Sequence, residues 1–288
     1  MIVEPRVVQA GRGFAWWGEG WRIFMSSPGT WILMIIVYGI LTVLVNIVPF
    51  VGTVGQSLLT PVFVAGFMIG CRAIERGEGL RVSHLFEGFQ GPRFVPLLII
   101  GAVNLGLVIV LFLVSGAGML GSFGLGQLST LSNPMDPFAA PLQAMTVTGL
   151  FILLLVLVLA TVFAMLNWFA PALVALRGVS PIEAMKLSFV SCLRNWLPFL
   201  LYGLVVVVAG IVMTIAVVVV AFLFGGGAIM SGSIEGAIST FLGLFVMLFA
   251  AAMLFAVIVG PITIGSVYAG FKDTVDDDDA TVTNPAYR

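Results

Sequence analysis

The chain reads as an all-α integral membrane protein. Six transmembrane helices form three related hairpins, each preceded by a cytoplasmic interfacial amphipathic helix. Three observations carry this reading: an apolar composition, six long apolar runs, and a one-sided distribution of positive charge. Of 288 residues, 60% are hydrophobic and only 9% charged, with a mean hydropathy of +1.19. A soluble domain carries about 25% charged residues, so this chain cannot cover a water-facing surface.

The apolar runs are 30–48, 54–71, 94–115, 146–171, 197–224 and 238–269. Each approaches or exceeds the roughly 20 residues that cross about 30 Å of hydrocarbon. All 12 lysines and arginines fall on one side of the pattern. Arg6, Arg12 and Arg22 precede the first run. Arg72, Arg76, Arg81 and Arg93 lie between the second and third, Arg177, Lys186 and Arg194 between the fourth and fifth, and Lys272 and Arg288 after the sixth. Positive residues near spans stay in the cytoplasm, which predicts a multi-pass inner-membrane protein with both termini cytoplasmic. The first 29 residues are too polar and Trp-rich for a cleavable signal peptide. The first span therefore stays as an anchor, and residues 1–272 are expected to form a single polytopic domain.

An internal repeat runs through the chain. Glu19, Arg22, Tyr38 and Gly39 recur in the same spacing as Glu183, Lys186, Tyr202 and Gly203, and Pro61, Gly70 and Arg72 recur as Pro261, Gly270 and Lys272. A middle copy fits more loosely, with Phe86 and Glu87 before one span and Pro171 and Arg177 in and after the next. Before each hairpin lies a short apolar stripe at helical spacing: Phe14, Trp17, Trp21 and Phe24; Val82, Leu85, Phe86 and Phe89; and Ile182, Met185, Phe189, Leu193 and Trp196. Such helices either lie flat among the lipid headgroups or pack on the bundle. Ser180-Pro181-Ile182-Glu183 is a capping box with proline at the first helical position. Trp16, Trp17, Trp21, Trp31 and Trp196 gather at the cytoplasmic boundary, where indole anchors at the interface.

The outer loop 116–145 is rich in Gly, Ser, Met and Pro, with Asp136 its only charge. It reads as an irregular connector, with a lid over an outward cavity as the alternative. The tail 273–288, with Asp273 and Asp276 to Asp279, reads as acidic and disordered. Cys71 and Cys192 sit at predicted cytoplasmic helix ends, where thiols stay reduced.

No Asp, Glu, Lys, Arg or His lies within the six runs. Ionisable groups at that depth mark proton relays and ion paths, so the pattern argues against a proton-coupled transporter, a pump or a voltage sensor. Asn104 and Asn167 are the candidate intramembrane polar contacts. Counted inward from Arg93 and Arg177 at about 1.5 Å per residue, they reach a similar depth. An Asn–Asn contact there is either helix–helix glue or a substrate site. Gly66 with Gly70, and Ser266 with Gly270, suit close helix packing. Pro61, Pro171 and Pro261 are expected to kink the even-numbered spans, giving a cytoplasm-facing cavity or a curved bundle. His84 reads as a surface residue at a helix start, with Glu87 its one neighbouring carboxylate. No phosphate-binding loop, metal cluster or nucleophile elbow appears, so no catalytic, cofactor or metal residues are expected, and the dispersed basic residues give no nucleic-acid surface.

The segments Gly20-Trp21-Arg22, Pro61-Val62-Phe63-Val64-Ala65-Gly66, His84-Leu85-Phe86-Glu87-Gly88-Phe89 and Cys192-Leu193-Arg194-Asn195-Trp196-Leu197-Pro198-Phe199 resemble those of a family of hypothetical proteobacterial six-span inner-membrane proteins. Leu193-Arg194-Asn195-Trp196 and Phe169-Ala170-Pro171-Ala172-Leu173-Val174 are the most specific part. More distantly, the chain is similar to the membrane domain fused to some glycerophosphodiester phosphodiesterases, whose chemistry lies in a soluble domain lacking here. The resemblance implies no catalytic residues. The function expected is a non-catalytic structural or accessory membrane protein whose partners are the bilayer, other membrane proteins or a second copy of itself. The alternative is a passive permease or a translocator of lipid or small solutes, working through a cavity between the Pro-kinked helices.

Overall fold

The computed structural model describes residues 5–48, 50–132, 139–230 and 234–275, and among these it contains helices and no strand. In chain order the α-helices are α1 (Arg12–Ser26), α2 (Pro28–Asn46), α3 (Val51–Glu75), α4 (Phe94–Ser132), α5 (Ala139–Asn167), α6 (Ala170–Arg177), α7 (Pro181–Arg194), α8 (Trp196–Met230) and α9 (Ile234–Thr274). Two 3₁₀ segments, Val82–Phe89 and Gly91–Arg93, lead into α4. Six stretches are long and apolar enough to cross a membrane: Pro28–Asn46, Val51–Glu75, Gly91–Gly118, Gly149–Arg177, Trp196–Val220 and Phe241–Thr274. The protein is an all-α integral membrane protein. Leu153, Leu157, Val207, Val212 and Phe245 are among many large apolar side chains left more than half exposed on these helices, a surface only lipid can solvate.

Helix ends depart from the predicted runs in two ways. The ends near the charged segments run further, taking in Arg72, Glu75, Arg177, Lys272 and Asp273. The outer loop is also less irregular than expected, because α4 continues to Ser132 and α5 resumes at Ala139. Pro141 falls in the first turn of α5, where a missing N–H costs nothing. Pro134, Asp136 and Pro137 lie outside the described residues.

Backbone contacts divide the chain into two compact units, Met1–Leu44 with Gly66–Glu87 and Ser191–Arg288, and Val45–Ala65 with Gly88–Val190. In the first unit α1 packs against α8 and α9. Gly13, Trp16, Gly20 and Phe24 are its buried face. A methyl on Gly13 would strike the Pro198 carbonyl oxygen of α8, and one on Gly20 the Ile262 carbonyl oxygen of α9. The glycines let the helix backbones touch, which is how helices associate in lipid, where no hydrophobic drive exists between them. So of the two placements the sequence leaves open, α1 is built into the protein. The buried face is not the whole predicted stripe, since Phe14 and Trp21 point outward, 48% and 50% exposed. Trp16 and Trp31 are likewise core residues rather than interfacial anchors, at 1% and 0% exposure. The Trp31 indole N–H donates to the Ile23 carbonyl at 3.2 Å, which also accepts the Ser26 hydroxyl at 2.7 Å, so the last turn of α1 is capped by side chains.

In the second unit α4 packs along α5. Gly101 of α4 lies against the backbone of Leu58 in α3, and Phe63 meets Phe89 edge-on with centroids 5.1 Å apart. The expected fourth span 146–171 is not continuous. It breaks at Trp168 and Phe169, between α5 and α6. The break falls just ahead of Pro171, and a neighbouring helix bridges it. Ser188 of α7 inserts its hydroxyl into a rung of the helix ladder, donating to the Met165 carbonyl at 2.7 Å and accepting the Phe169 N–H at 2.9 Å. A side chain inserted into the i→i−4 ladder bends a helix. Pro171 sits in the first turn of α6, where its lacking N–H is harmless. Pro61 and Pro261, by contrast, lie inside α3 and α9.

Ser188 is fully buried, and Ser188→Ala removes both of these hydrogen bonds where water cannot replace them. Unfolding in detergent should show a loss of about 1–3 kcal/mol; unchanged stability would contradict this account of the break.

Candidate functional site

The polar residues of the first unit converge where α1 meets the last turns of α3 and α9. Trp16 is buried against the rings of Phe199 and Tyr202, with centroids 5.4 and 6.2 Å away. A buried indole N–H needs an acceptor, and Asp273 provides one at 2.7 Å. The same carboxylate oxygen takes Arg12 Nε at 2.5 Å, and Arg12 Nη2 reaches Glu19 at 2.7 Å. The Asp273 hydrogen bond, against the opposing effect of burial, raises Arg12 above its already high pKa. Asp273 therefore belongs to α9 and not to a disordered tail. Asp276 to Asp279 lie outside the described residues.

A second cluster joins α3 to α9. The Tyr268 hydroxyl donates to Glu75 at 2.6 Å, and Lys272 pairs with the other Glu75 oxygen. Between the clusters is a cleft of about 330 Å³, whose lining includes Glu19, Arg22, Ile23, Glu75, Tyr268 and Lys272. Glu19, Arg22 and Lys272 were singled out by the repeat, but their convergence was not legible there, since the sequence gives no crossing geometry.

The N-terminal segment is strapped to the same end of the unit. Arg6 N–H donates to the Thr274 carbonyl at 2.8 Å, and Arg6 Nη2 to the Lys272 carbonyl at 3.3 Å, capping the last turn of α9. Asn195, 1% exposed, stands between α7 and α8. Its Oδ1 accepts the Val8 N–H at 2.9 Å, and its Nδ2 donates to the carbonyls of Arg6 and Ser191 at 2.8 and 2.9 Å. Asn195 lies within Leu193-Arg194-Asn195-Trp196, but sequence alone does not reveal this clamp. The signal was an asparagine seated between two helical patterns.

The other candidate residues take individual places. Gly66 lies against the backbone carbonyls of His84 and Leu85, where a methyl would come within 2.7 and 2.5 Å, and Gly70 lies against Leu80. These glycines thus receive the 3₁₀ segment rather than another long helix. Gly270 meets the Trp16 ring. The Ser266 hydroxyl donates to the Thr263 carbonyl and so accepts from Tyr202, 2.8 Å away. Because Gly66 draws the 3₁₀ segment inward, His84 is buried, at 8% exposure, and not a surface residue. Its Nδ1 accepts the Arg81 N–H at 3.2 Å, and Nε2 lies 3.7 Å from Glu87. Asn104 and Asn167 do not form an amide–amide hydrogen bond, because Oδ1 of each is buried and unpartnered. Asn167 is the last residue of α5, and its amide donates back to the Phe163 carbonyl at 2.9 Å. Among the described residues no group of three His, Cys, Asp or Glu could hold a metal.

Among known proteins, the chain is similar to a probable inner membrane protein of Burkholderia thailandensis. The two are 30% identical over 205 residues, covering 68% of this chain and 73% of that protein. No family model and no solved structure matches.

Cys71 and Cys192 are both buried free thiols. Burial pushes the Cys192 thiol up to about 12, so the folded protein favours the neutral form. The stability this contributes is full below the ordinary thiol pKa and is lost as pH rises from there through about 12. The thiolate is the reactive form, so maleimide at pH 8 should label Cys192 only after denaturation. Native labelling at the rate of a free thiol would contradict the burial.

Proposed function

Because the chain belongs to the family of the Burkholderia inner-membrane protein, we propose that it is a non-catalytic structural or accessory component of the inner membrane, in contact with lipids and other membrane proteins. One observation carries this reading. The charged groups of the site hold the protein together: Arg12 bridges Glu19 and Asp273, and Glu75 joins Tyr268 and Lys272. Groups engaged in this way fasten helix ends and are not poised for proton or group transfer, which needs a free partner at the reacting atom. The apolar flanks of α5, α8 and α9 remain outward for lipid or for a neighbouring protein. Both termini lie on the cytoplasmic side in this reading, as the positive charge favours.

A second reading is a passive permease or lipid translocator. It is favoured by the cleft that α1 forms with α3 and α9, the two helices with an internal proline.

Two measurements check the proposal. A fluorescent protein fused after Arg288 should fluoresce, and alkaline phosphatase fused there should stay inactive; the reverse would invert the topology. Extracted in native nanodiscs, the tagged chain should bring a membrane protein in fixed stoichiometry. A chain recovered alone, which also makes liposomes permeable to small solutes, would favour the permease instead.

A further inference from the structure

We infer that the cleft between α1, α3 and α9 binds a phosphoethanolamine headgroup, with its phosphate on Arg22 and its ammonium on Glu19. The inference deepens the lipid-contacting part of the proposed role and rests on it. Position is the first argument. Cys71, Ile74, Glu75, Tyr268, Ala269 and Lys272 of its lining belong to the last turns of two candidate membrane spans. That is the level where hydrocarbon gives way to headgroups.

Charge is the second. Both Glu75 oxygens are engaged, by Tyr268 and Lys272, and Arg72 also hydrogen-bonds Tyr268, so the α3–α9 side of the cleft offers no free carboxylate. On the α1 side, Glu19 gives one oxygen to Arg12. Arg22 is exposed and makes no ion pair among the described residues. A purely anionic ligand would be opposed by Glu19, and a purely cationic one by Arg22. A zwitterion faces neither conflict. Glu19 and Arg22 stand three residues apart on one helix, so their side chains are neighbours on its surface, with Cβ atoms about 5–6 Å apart. A phosphate and an ammonium joined by two carbons match that spacing. A primary ammonium also donates hydrogen bonds to a carboxylate, whereas the quaternary ammonium of choline has no N–H to give. Beside Arg22 on the outer face of α1, Trp21 and Met25 are 50% and 51% exposed and form an apolar shoulder for the glycerol and upper acyl chain.

The test uses the full chain, purified and relipidated in turn with phosphatidylethanolamine, phosphatidylcholine and phosphatidylglycerol, with retained lipid counted by native mass spectrometry. Phosphatidylethanolamine should be retained over the other two. Arg22→Gln, at an exposed and unpaired position, should keep thermal stability and cut retention about tenfold, and Arg22→Lys should restore part of it. Soluble glycerophosphoethanolamine should compete. If it binds while no lipid is retained, the chemistry stands and the source is a free headgroup. Equal retention of the three lipids, or retention unaffected by Arg22→Gln, overturns the site. Neither result touches a stoichiometric protein partner, so failure of the site and failure of the accessory role are separable.

Discussion

The contact of α1 with α8 and α9 at Gly13 and Gly20 is the constraint on which the first unit depends. With a side chain at either position, the helix would be pushed away from a backbone carbonyl. With none, the backbones close and dispersion forces act over their whole contact, the main source of helix association in lipid. The rest follows from that closeness. Trp16 is driven into the core, and its N–H finds Asp273. Arg12 follows onto the same carboxylate, and Glu19 and Arg22 come to stand over the cleft. The ion pairs themselves are partly exposed and of modest worth. They fix register, whereas the glycine contact provides the packing.

A second constraint comes from the medium. Backbone groups at membrane depth must be satisfied within the protein, so every interruption of a long helix needs a partner. Three side chains meet this need. Trp31 takes a carbonyl at the end of α1. Ser188 bridges the broken rung between α5 and α6. Asn195 secures the junction of α7 and α8 while holding the N-terminal segment. Two of the three lie on or next to α7, which gives this polar helix a structural purpose that its amphipathic pattern alone does not reveal.

The long helices were legible because span length is a property of the sequence: the bilayer demands about 20 apolar residues, and runs such as 94–115 and 197–224 supply them. The short helices were legible as helices but not as contacts. Periodicity gave Phe14, Trp17, Trp21 and Phe24 as one stripe, whereas the face that packs is Gly13, Trp16, Gly20 and Phe24, because glycine carries no hydrophobic signal and yet allows the closest approach. The same blindness placed His84 on the surface, since its burial follows from Gly66. Pro171 carried part of a further signal. A proline in an apolar run marks where the helix breaks, but the hydroxyl from another helix that bridges the broken rung leaves no local trace. The cleft was partly legible: the repeat marked Glu19, Arg22 and Lys272, and only the fold could bring them together.

The charged end of the protein is braced by its own short helices, and Arg22 stands at the cleft without an ion pair among the described residues. Everything at this end depends on α1 being docked on α9 and not riding on the bilayer. Spin labels at Gly18→Cys, on the exposed side of α1, and at Ile258→Cys, on α9, test this directly, since the native thiols are buried. A docked helix predicts one narrow distance distribution between the labels in nanodiscs. A broad distribution that changes with lipid composition would contradict it.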